Sequence, residues 1–248
     1  MSDFDLSDLG IAVSKPTPPS TKHSMLLYGR HRVGKSTFAA SAAEVESLAP
    51  VLWLAAEDGT TAFAGKYDDN LIDVVRIDTW DTLQTVLNGI LNNETKYKTV
   101  VVDTLGAVQE IVKKEYLASN DGKGDFAMWD RINKAVVLVV ESIHNSKYNS
   151  IFIAHHEKVV DETEGKVLIS PYLLGKKSSV DIPKIVDTIA YLYKSDEEDE
   201  EGNAIRKLLL TSSGKIDAGS RLEHILPAGL VNPTMKDFMA PIYAAASK

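Results

Sequence analysis

One eight-residue segment constrains the fold of this chain more than any other. Residues 29–36 read Gly-Arg-His-Arg-Val-Gly-Lys-Ser and match the pattern G-x-x-x-x-G-K-[ST]. The apolar run at 25–28 favours a buried strand before it, and the alanine-rich segment 37–44 favours a helix after it. A glycine-containing loop between a strand and a helix is the context in which this pattern binds phosphate. The sequence therefore predicts a binding site for a nucleoside triphosphate with Mg²⁺.

The residue types explain how this loop would hold its ligand. Gly29 and Gly34 allow the backbone to wrap closely around phosphates, and the loop N–H groups with the helix start form an anion site. Lys35 is expected to contact the β- and γ-phosphates, and the Ser36 hydroxyl to coordinate Mg²⁺. The three basic positions between the glycines are interpreted as solvated positive charge near the phosphates. The predicted nucleotide-binding residues are Gly29, Arg30, His31, Arg32, Val33, Gly34, Lys35, Ser36 and Thr37.

Length and composition set limits on the class of protein. A chain of 248 residues suits one α/β domain with additions. It has no cysteine, no apolar stretch of membrane-span length and no basic signal peptide at its start, which together favour a cytoplasmic location. The net charge of −8 argues against a generally basic nucleic-acid binder. However, residues 196–201 are all acidic and the rest of the chain is nearly neutral, so DNA binding stays open.

Apolar runs alternate with helical patterns after residue 23, which predicts an α/β fold with a mostly parallel central sheet. We divide the chain into a tail and proline-rich linker (1–23), a core (24–230) and a C-terminal helical tail (231–248). The tail is expected either to be disordered or to dock on a neighbouring subunit. Hairpins are predicted around Glu164-Gly165 and around the acidic run. The predicted strands are 25–28, 51–55, 74–77, 99–103, 150–154 and 188–193, and the later helices are 81–91, 105–116 and 128–145.

Acidic side chains follow two of the predicted strands. Asp103 ends one of them, where a carboxylate holds the water shell of Mg²⁺ in such folds. The alternative is that Asp103 caps the next helix. Glu57 and Asp58 follow the second strand, and hydrolysis needs a carboxylate there to orient and deprotonate water. Glu57 is our first choice, with Asp58 second; the alternative is a surface acidic pair before Gly59.

Two histidines follow the strand that ends at Ala154. A polar side chain at His155 or His156 can contact the γ-phosphate and respond to hydrolysis. Metal binding is a poor alternative, because adjacent residues point apart and no third ligand is spaced nearby. A plain surface pair, with His156 the idle member, also fits the sequence.

Taken together, residues 29–36, 56–59, 99–104 and 151–158 resemble the RecA-like ATPases of bacteriophages. The likeness is greatest to a phage nucleotide-binding family that includes single-strand annealing and recombination proteins, and it runs from about residue 24 to 227. It implies a RecA-like P-loop core, Glu57 as the catalytic carboxylate, a sensor at His155 or His156, and a ring or filament with ATP between subunits. The doubled histidine and the long acidic hairpin depart from the family pattern.

The resemblance also implies that loops after the third and fourth core strands, 118–129 and 157–179, bind single-stranded DNA. The DNA-binding candidates are Lys123, Lys158, Lys176 and Lys177. A cation reaching the γ-phosphate of a neighbouring subunit would come from Lys176, Lys177 or Arg221.

The expected function is DNA-stimulated ATP hydrolysis on single-stranded DNA in recombination, annealing or replication. One alternative is an ATP-regulated DNA-binding module with negligible turnover. The other is an ATPase loader that acts on a protein partner, such as a single-strand binding protein.

Overall fold

The computed structural model describes Leu9 and residues 20–161 and 165–247. Most of the N-terminal tail predicted at 1–23 lies outside the described residues, as does the tip of the first hairpin at 162–164. In the described ranges, no helix is both long and apolar enough to cross a membrane.

The strands in these ranges form a single sheet. They are β1 (Ser24–Gly29), β2 (Val51–Ala55), β3 (Ile72–Arg76), β4 (Thr99–Asp103), β5 (Asn149–Asp161), β6 (Lys166–Tyr172), β7 (Thr188–Glu198), β8 (Ala204–Leu209), β9 (Gly219–Ser220) and β10 (Gly229–Val231). Their order is β10-β8-β7-β1-β5-β4-β2-β3, with β6 paired to β5 and β9 paired to β7. The six strands from β7 to β3 in this order run parallel, whereas β6, β8, β9 and β10 pair antiparallel.

Helices cover both faces of this sheet because successive strand residues point to opposite sides. The helices are α1 (Lys35–Ala40), α2 (Trp80–Asn92), α3 (Leu105–Ser119), α4 (Phe126–His144), α5 (Lys176–Ile185) and α6 (Met235–Ala246). Met25 and Leu27 of β1 pack in the cluster that contains α1 and α6. Leu26 and Tyr28 pack in the cluster that contains α2 to α5. The predicted fold class, a mostly parallel sheet flanked by helices with C-terminal β additions, is confirmed.

Helix capping decides between the two roles considered for Asp103. The Thr104 Oγ1 accepts a hydrogen bond from the Ala107 backbone N–H at 3.2 Å and caps α3. The carboxylate of Asp103 takes no part in this cap. The N-cap alternative for Asp103 is therefore wrong, and its side chain is directed to another task.

The largest difference from the sequence-based prediction lies in residues 157–179, which were expected to be mobile loop. Strand β5 continues to Asp161 and pairs with β6 in a hairpin, so Lys158 lies on a strand. Helix α5 then begins at Lys176, so Lys176 and Lys177 lie in a helical turn. The helix escaped prediction because its first turn is polar and Pro183 lies inside it.

Contacts with α4 explain why α5 forms despite this weak local pattern. The Ser178 backbone N–H donates to Asn133 Oδ1 at 3.0 Å, and Ile182 is fully buried in the core. Tertiary packing therefore overrides a low helix propensity at this point.

Candidate active site

The phosphate loop begins where β1 ends at Gly29 and leads directly into α1. Gly34 has φ of 102°, a left-handed conformation that glycine adopts at no steric cost. The Lys35 ammonium folds back over the loop and donates to the carbonyl oxygens of Gly29 and Arg30 at 3.1 and 2.9 Å. Lys35 is only 6% exposed, and burial lowers its pKa to about 8, although nearby carboxylates act in the opposite direction.

The structure brings Ser36 and Asp103 together from opposite ends of the sequence motif set. Ser36 Oγ donates to Asp103 Oδ2 at 3.0 Å. Burial raises the pKa of Asp103 to about 6, and the hydrogen bond from Ser36 opposes this rise.

Gly59 keeps the space beside these two oxygens open. A Cβ at this position would lie 2.8 Å from Asp103 Oδ2 and 3.3 Å from Ser36 Oγ. A hydroxyl and a carboxylate beside a cradle of this kind are the oxygen ligands that Mg²⁺ prefers. The residues therefore fit the predicted magnesium site.

Glu57 lies next to this pair because the ends of β2 and β4 are joined. The backbone N–H of Glu57 donates to the Asp103 carbonyl oxygen at 3.0 Å. Glu57 Oε1 accepts from Thr104 Oγ1 at 2.8 Å, and His155 Nε2 lies 3.2 Å from Oε2 and 3.3 Å from Oε1. Because a carboxylate only accepts, His155 Nε2 must carry the hydrogen. These hydrogen bonds, that of His155 foremost, lower the pKa of Glu57.

The two adjacent histidines face different surroundings, as neighbours on a strand do. His155 lies at Glu57, and its ring centroid is 4.0 Å from that of His31 in the phosphate loop. This proximity is the main reason why the pKa of His31 is lowered. His156 instead lies with its Nδ1 3.3 Å from the Tyr191 hydroxyl. The structure thus places His155, and not His156, against the predicted catalytic carboxylate, with His31 stacked beside it.

These groups line one open cleft of about 580 Å³ at the carboxyl edge of the sheet. Its polar walls include Lys35, Ser36, Glu57, Asp103 and His155. The wall also includes Arg206 of β8, which no motif in the sequence marked. Arg206 reaches the phosphate loop only because the hairpin of β7 and β8 places it there, so no local signal could have found it.

The DNA-binding candidates lie apart from this cleft, on the exposed surface. Lys123 lies in the loop between α3 and α4, and Lys158, Lys176 and Lys177 are exposed on β5 and α5. Asn133 joins the starts of α4 and α5, since its Nδ2 donates to the Trp129 carbonyl at 2.7 Å while its Oδ1 accepts from Ser178.

Two aromatic side chains are exposed on the same part of α4. Phe126 is 88% exposed and Trp129 is 41% exposed. The start of α4 therefore presents aromatic rings close to the lysines at the start of α5.

Arg221, a candidate for the cation delivered to a neighbour, lies at the opposite edge of the sheet. Its Nη1 is 3.4 Å from Asp187 Oδ1, and its Nη2 donates to the Lys184 carbonyl at 2.5 Å. Asp187 is bonded to Ser24 at the amino end of β1, whereas the phosphate loop begins at the carboxyl end. Arg221 is therefore engaged within its own chain.

The fold and the cleft together define a P-loop ATPase of the RecA-like class. The family model described as "AAA domain" matches residues 21–222, so the chain belongs to that family. No curated protein matches the chain by sequence.

Solved structures with similar folds include three ATPases or recombinases. The ATPase domain of a helicase is 13% identical with a TM-score of 0.50, over 88% of this chain and 84% of that chain. An ATPase from the type III secretion system of pathogenic bacteria is 15% identical with a TM-score of 0.51, over 82% of this chain and 57% of that chain. The RadB recombinase is 16% identical with a TM-score of 0.48, over 91% of this chain and 90% of that chain. At these identities the likeness concerns the fold alone.

Proposed function

We propose that this protein binds ATP with Mg²⁺ at the phosphate loop and hydrolyses it to ADP and phosphate. One observation carries this proposal above the others. Glu57 lies in the same cleft as Lys35, Ser36 and Asp103, and two donors hold its carboxylate in place. A site that only bound nucleotide would need the loop but would have no use for an oriented, ionised carboxylate beside it.

Each group has a distinct role in the proposed reaction. The loop N–H groups and Lys35 bind the phosphate oxygens, and Ser36 and Asp103 hold the magnesium ion and its water. Bound Mg²⁺ would neutralise charge on the β- and γ-phosphates. Glu57 orients a water molecule and accepts its proton as the oxygen forms a bond to the γ-phosphorus and the bond to ADP breaks. Thr104 and His155 position Glu57 and do not themselves exchange protons with the water.

The test is the rate of ATP hydrolysis by the full chain. Lys35→Ala is expected to weaken ATP binding roughly 100-fold, because it removes a buried charged partner of the phosphates. Wild-type protein that binds ATP without turnover would instead support the ATP-regulated binding module. Hydrolysis that survives both Lys35→Ala and Glu57→Gln would contradict the site assignment.

We further propose that the ATPase acts on single-stranded DNA as a homo-oligomer, in recombination, annealing or replication. The support is the surface at the starts of α4 and α5, where Phe126 and Trp129 are exposed close to Lys176 and Lys177. Lysines beside exposed aromatic rings suit backbone contact and base stacking without sequence readout.

Two measurements test this second proposal. The ATPase rate should rise on adding a single-stranded oligonucleotide, and light scattering should show a particle heavier than one chain. The double variant Lys176→Ala/Lys177→Ala should bind DNA more weakly and with a salt slope lower by about 1.4, the value for two lost phosphate contacts.

The matched control is Lys96→Ala/Lys147→Ala, which removes two exposed lysines that pair with Asp73 and Glu94. Equal DNA affinities for the two double variants would count against the proposed surface. A monomer with no DNA stimulation would favour the loader that acts on a protein partner.

A further inference from the structure

Arg206 reaches the phosphate loop from outside the parallel part of the sheet. Its Nε donates to the Val33 carbonyl oxygen at 3.1 Å. Its backbone is held on the other side by Asn232, whose Oδ1 accepts from the Arg206 N–H at 2.9 Å and whose N–H donates to the Arg206 carbonyl at 2.7 Å. The arginine is thus attached to the loop by its side chain and to a fixed turn by its backbone.

The close approach of Arg206 depends on Gly34. A Cβ at position 34 would lie 2.9 Å from Arg206 Nε and 3.3 Å from its Cδ. Glycine is therefore needed here for two reasons: it accepts the positive φ, and it leaves room for the arginine to lie against the loop.

Within the described part of the chain, the charge of Arg206 has no acidic partner. Among residues 20–161 and 165–247, no carboxylate forms an ion pair with its guanidinium, whereas Arg76 and Arg221 pair with Asp78 and Asp187. In these ranges only Nε is engaged, which leaves the two terminal amino groups of the guanidinium to bind another anion. A planar guanidinium with such donors beside a phosphate-binding loop is well suited to bidentate contact with phosphate oxygens.

Arg206 also lies at the boundary between two clefts. Together with Gly34 and Thr37 it lines both the cleft described above and a second one of about 490 Å³. The second cleft contains none of Glu57, Asp103 or His155, and it is lined instead by residues such as Phe38 and Asn203. A nucleotide whose γ-phosphate lies near Glu57 would pass Arg206 on its way towards the second cleft.

We propose that Arg206 is a phosphate-binding residue supplied by the same chain, which contacts the α- and β-phosphates of ATP at the boundary of the two clefts. The inference rests on the proposed ATP binding but not on turnover. It also gives a function to the β7–β8 hairpin, which extends the parallel core and carries an arginine back to the loop.

The test is calorimetric titration of the full chain with Mg·ATP, Mg·ADP and tripolyphosphate. Arg206→Ala and Arg206→Gln should each weaken all three ligands about tenfold or more, since charged hydrogen bonds to phosphate are lost. Arg206→Lys should recover part of the loss, because it restores a charge but not the planar fork. Arg76→Ala removes an equal charge from the same edge of the sheet and should leave affinity within twofold.

Two results would overturn the inference: ATP affinity of Arg206→Gln within twofold of wild type, or a loss for ATP that tripolyphosphate does not share. Arg206→Gln keeps a side chain of similar length against Val33, so the test stands even if Arg206→Ala fails to fold. Wild-type protein that binds no ATP would overturn both this inference and the proposed function. Arg206-dependent binding without hydrolysis would contradict only the proposed turnover.

Discussion

The two ends of strand β1 carry buried polar groups that are satisfied in opposite ways. At the amino end, Asp187 Oδ2 accepts from the N–H and the hydroxyl of Ser24 at 2.9 and 2.7 Å, and its other oxygen meets Arg221. His23 Nε2 lies 2.9 Å from Thr188 Oγ1 in the same network. These polar groups find their partners within the chain, which is what buried polar groups need for stability.

At the carboxyl end the corresponding groups are bonded to one another but also border an open cleft. Lys35, Ser36, Asp103 and Glu57 each keep a side directed to that cleft. Burial without full enclosure shifts the pKa of Lys35 to about 8 and that of Asp103 to about 6. The contrast indicates that polar groups at the amino end stabilise the fold, whereas those at the carboxyl end bind and convert a ligand.

The largest effect that separates the two ends is expected from Glu57→Gln. The amide cannot accept a proton from water, so kcat should fall about 1000-fold, within the range known for lost general bases. ATP affinity should stay within a few-fold, because the phosphate contacts are unchanged. Single-turnover kinetics and ATP titration measure the two quantities separately. A parallel loss of affinity would show that Glu57 is structural like Asp187.

The second prediction concerns the amino end. Asp187→Ala leaves the Ser24 N–H and hydroxyl without their acceptor and should lower the free energy of unfolding by about 2 kcal/mol. For a chain of this size that corresponds to a fall in Tm of roughly 4–8 °C. Asp78→Ala, which removes an exposed carboxylate paired with Arg76, should change stability by less than about 0.5 kcal/mol. A loss of ATP affinity in Asp187→Ala at a temperature where it is folded would break the comparison.

Protonation should separate the ends as well, with a tenfold effect. Asp103 must be ionised to hold Mg²⁺, so Mg·ATP affinity should fall as pH drops below about 6, by about tenfold per unit. Lys35 must be protonated, so affinity should also fall above about pH 8. The affinity ratio of wild type to Asp103→Asn removes the titration of ATP itself. That ratio should decline towards low pH, and a flat ratio would contradict the role of Asp103.

The same pH range should affect stability through the amino end. Burial lowers the pKa of His23 to about 4, below its ordinary value near 6.5. Between these values the unfolded chain binds more protons, so the histidine stabilises the fold above about pH 6.5 and this contribution is lost as pH falls towards 4. Urea unfolding of wild type and His23→Gln would show it, with the variant having the shallower dependence.

How far the sequence predicts this molecule depends on whether the signal is local. The phosphate loop, Asp103 and the buried parallel strands follow from short patterns of residues that are adjacent in the chain, and the predicted fold class is confirmed. Helix α5 and Arg206 do not, because their positions depend on contacts with α4 and on the pairing of β7 with β8. Long-range pairing likewise decides which of two adjacent histidines meets Glu57, a choice that the sequence left open.

The smallest expected effect distinguishes these two histidines. His156→Ala should leave kcat within twofold, because His156 meets Tyr191 and not the predicted carboxylate. His155→Ala removes one hydrogen bond to Glu57 and should lower kcat about fivefold, the cost of about 1 kcal/mol. Since that bond is the main cause of the lowered pKa of Glu57, its loss should also move the acid limb of the kcat–pH profile to higher pH. A fall in kcat without this movement would mean that His155 acts on the phosphate directly and does not position the carboxylate.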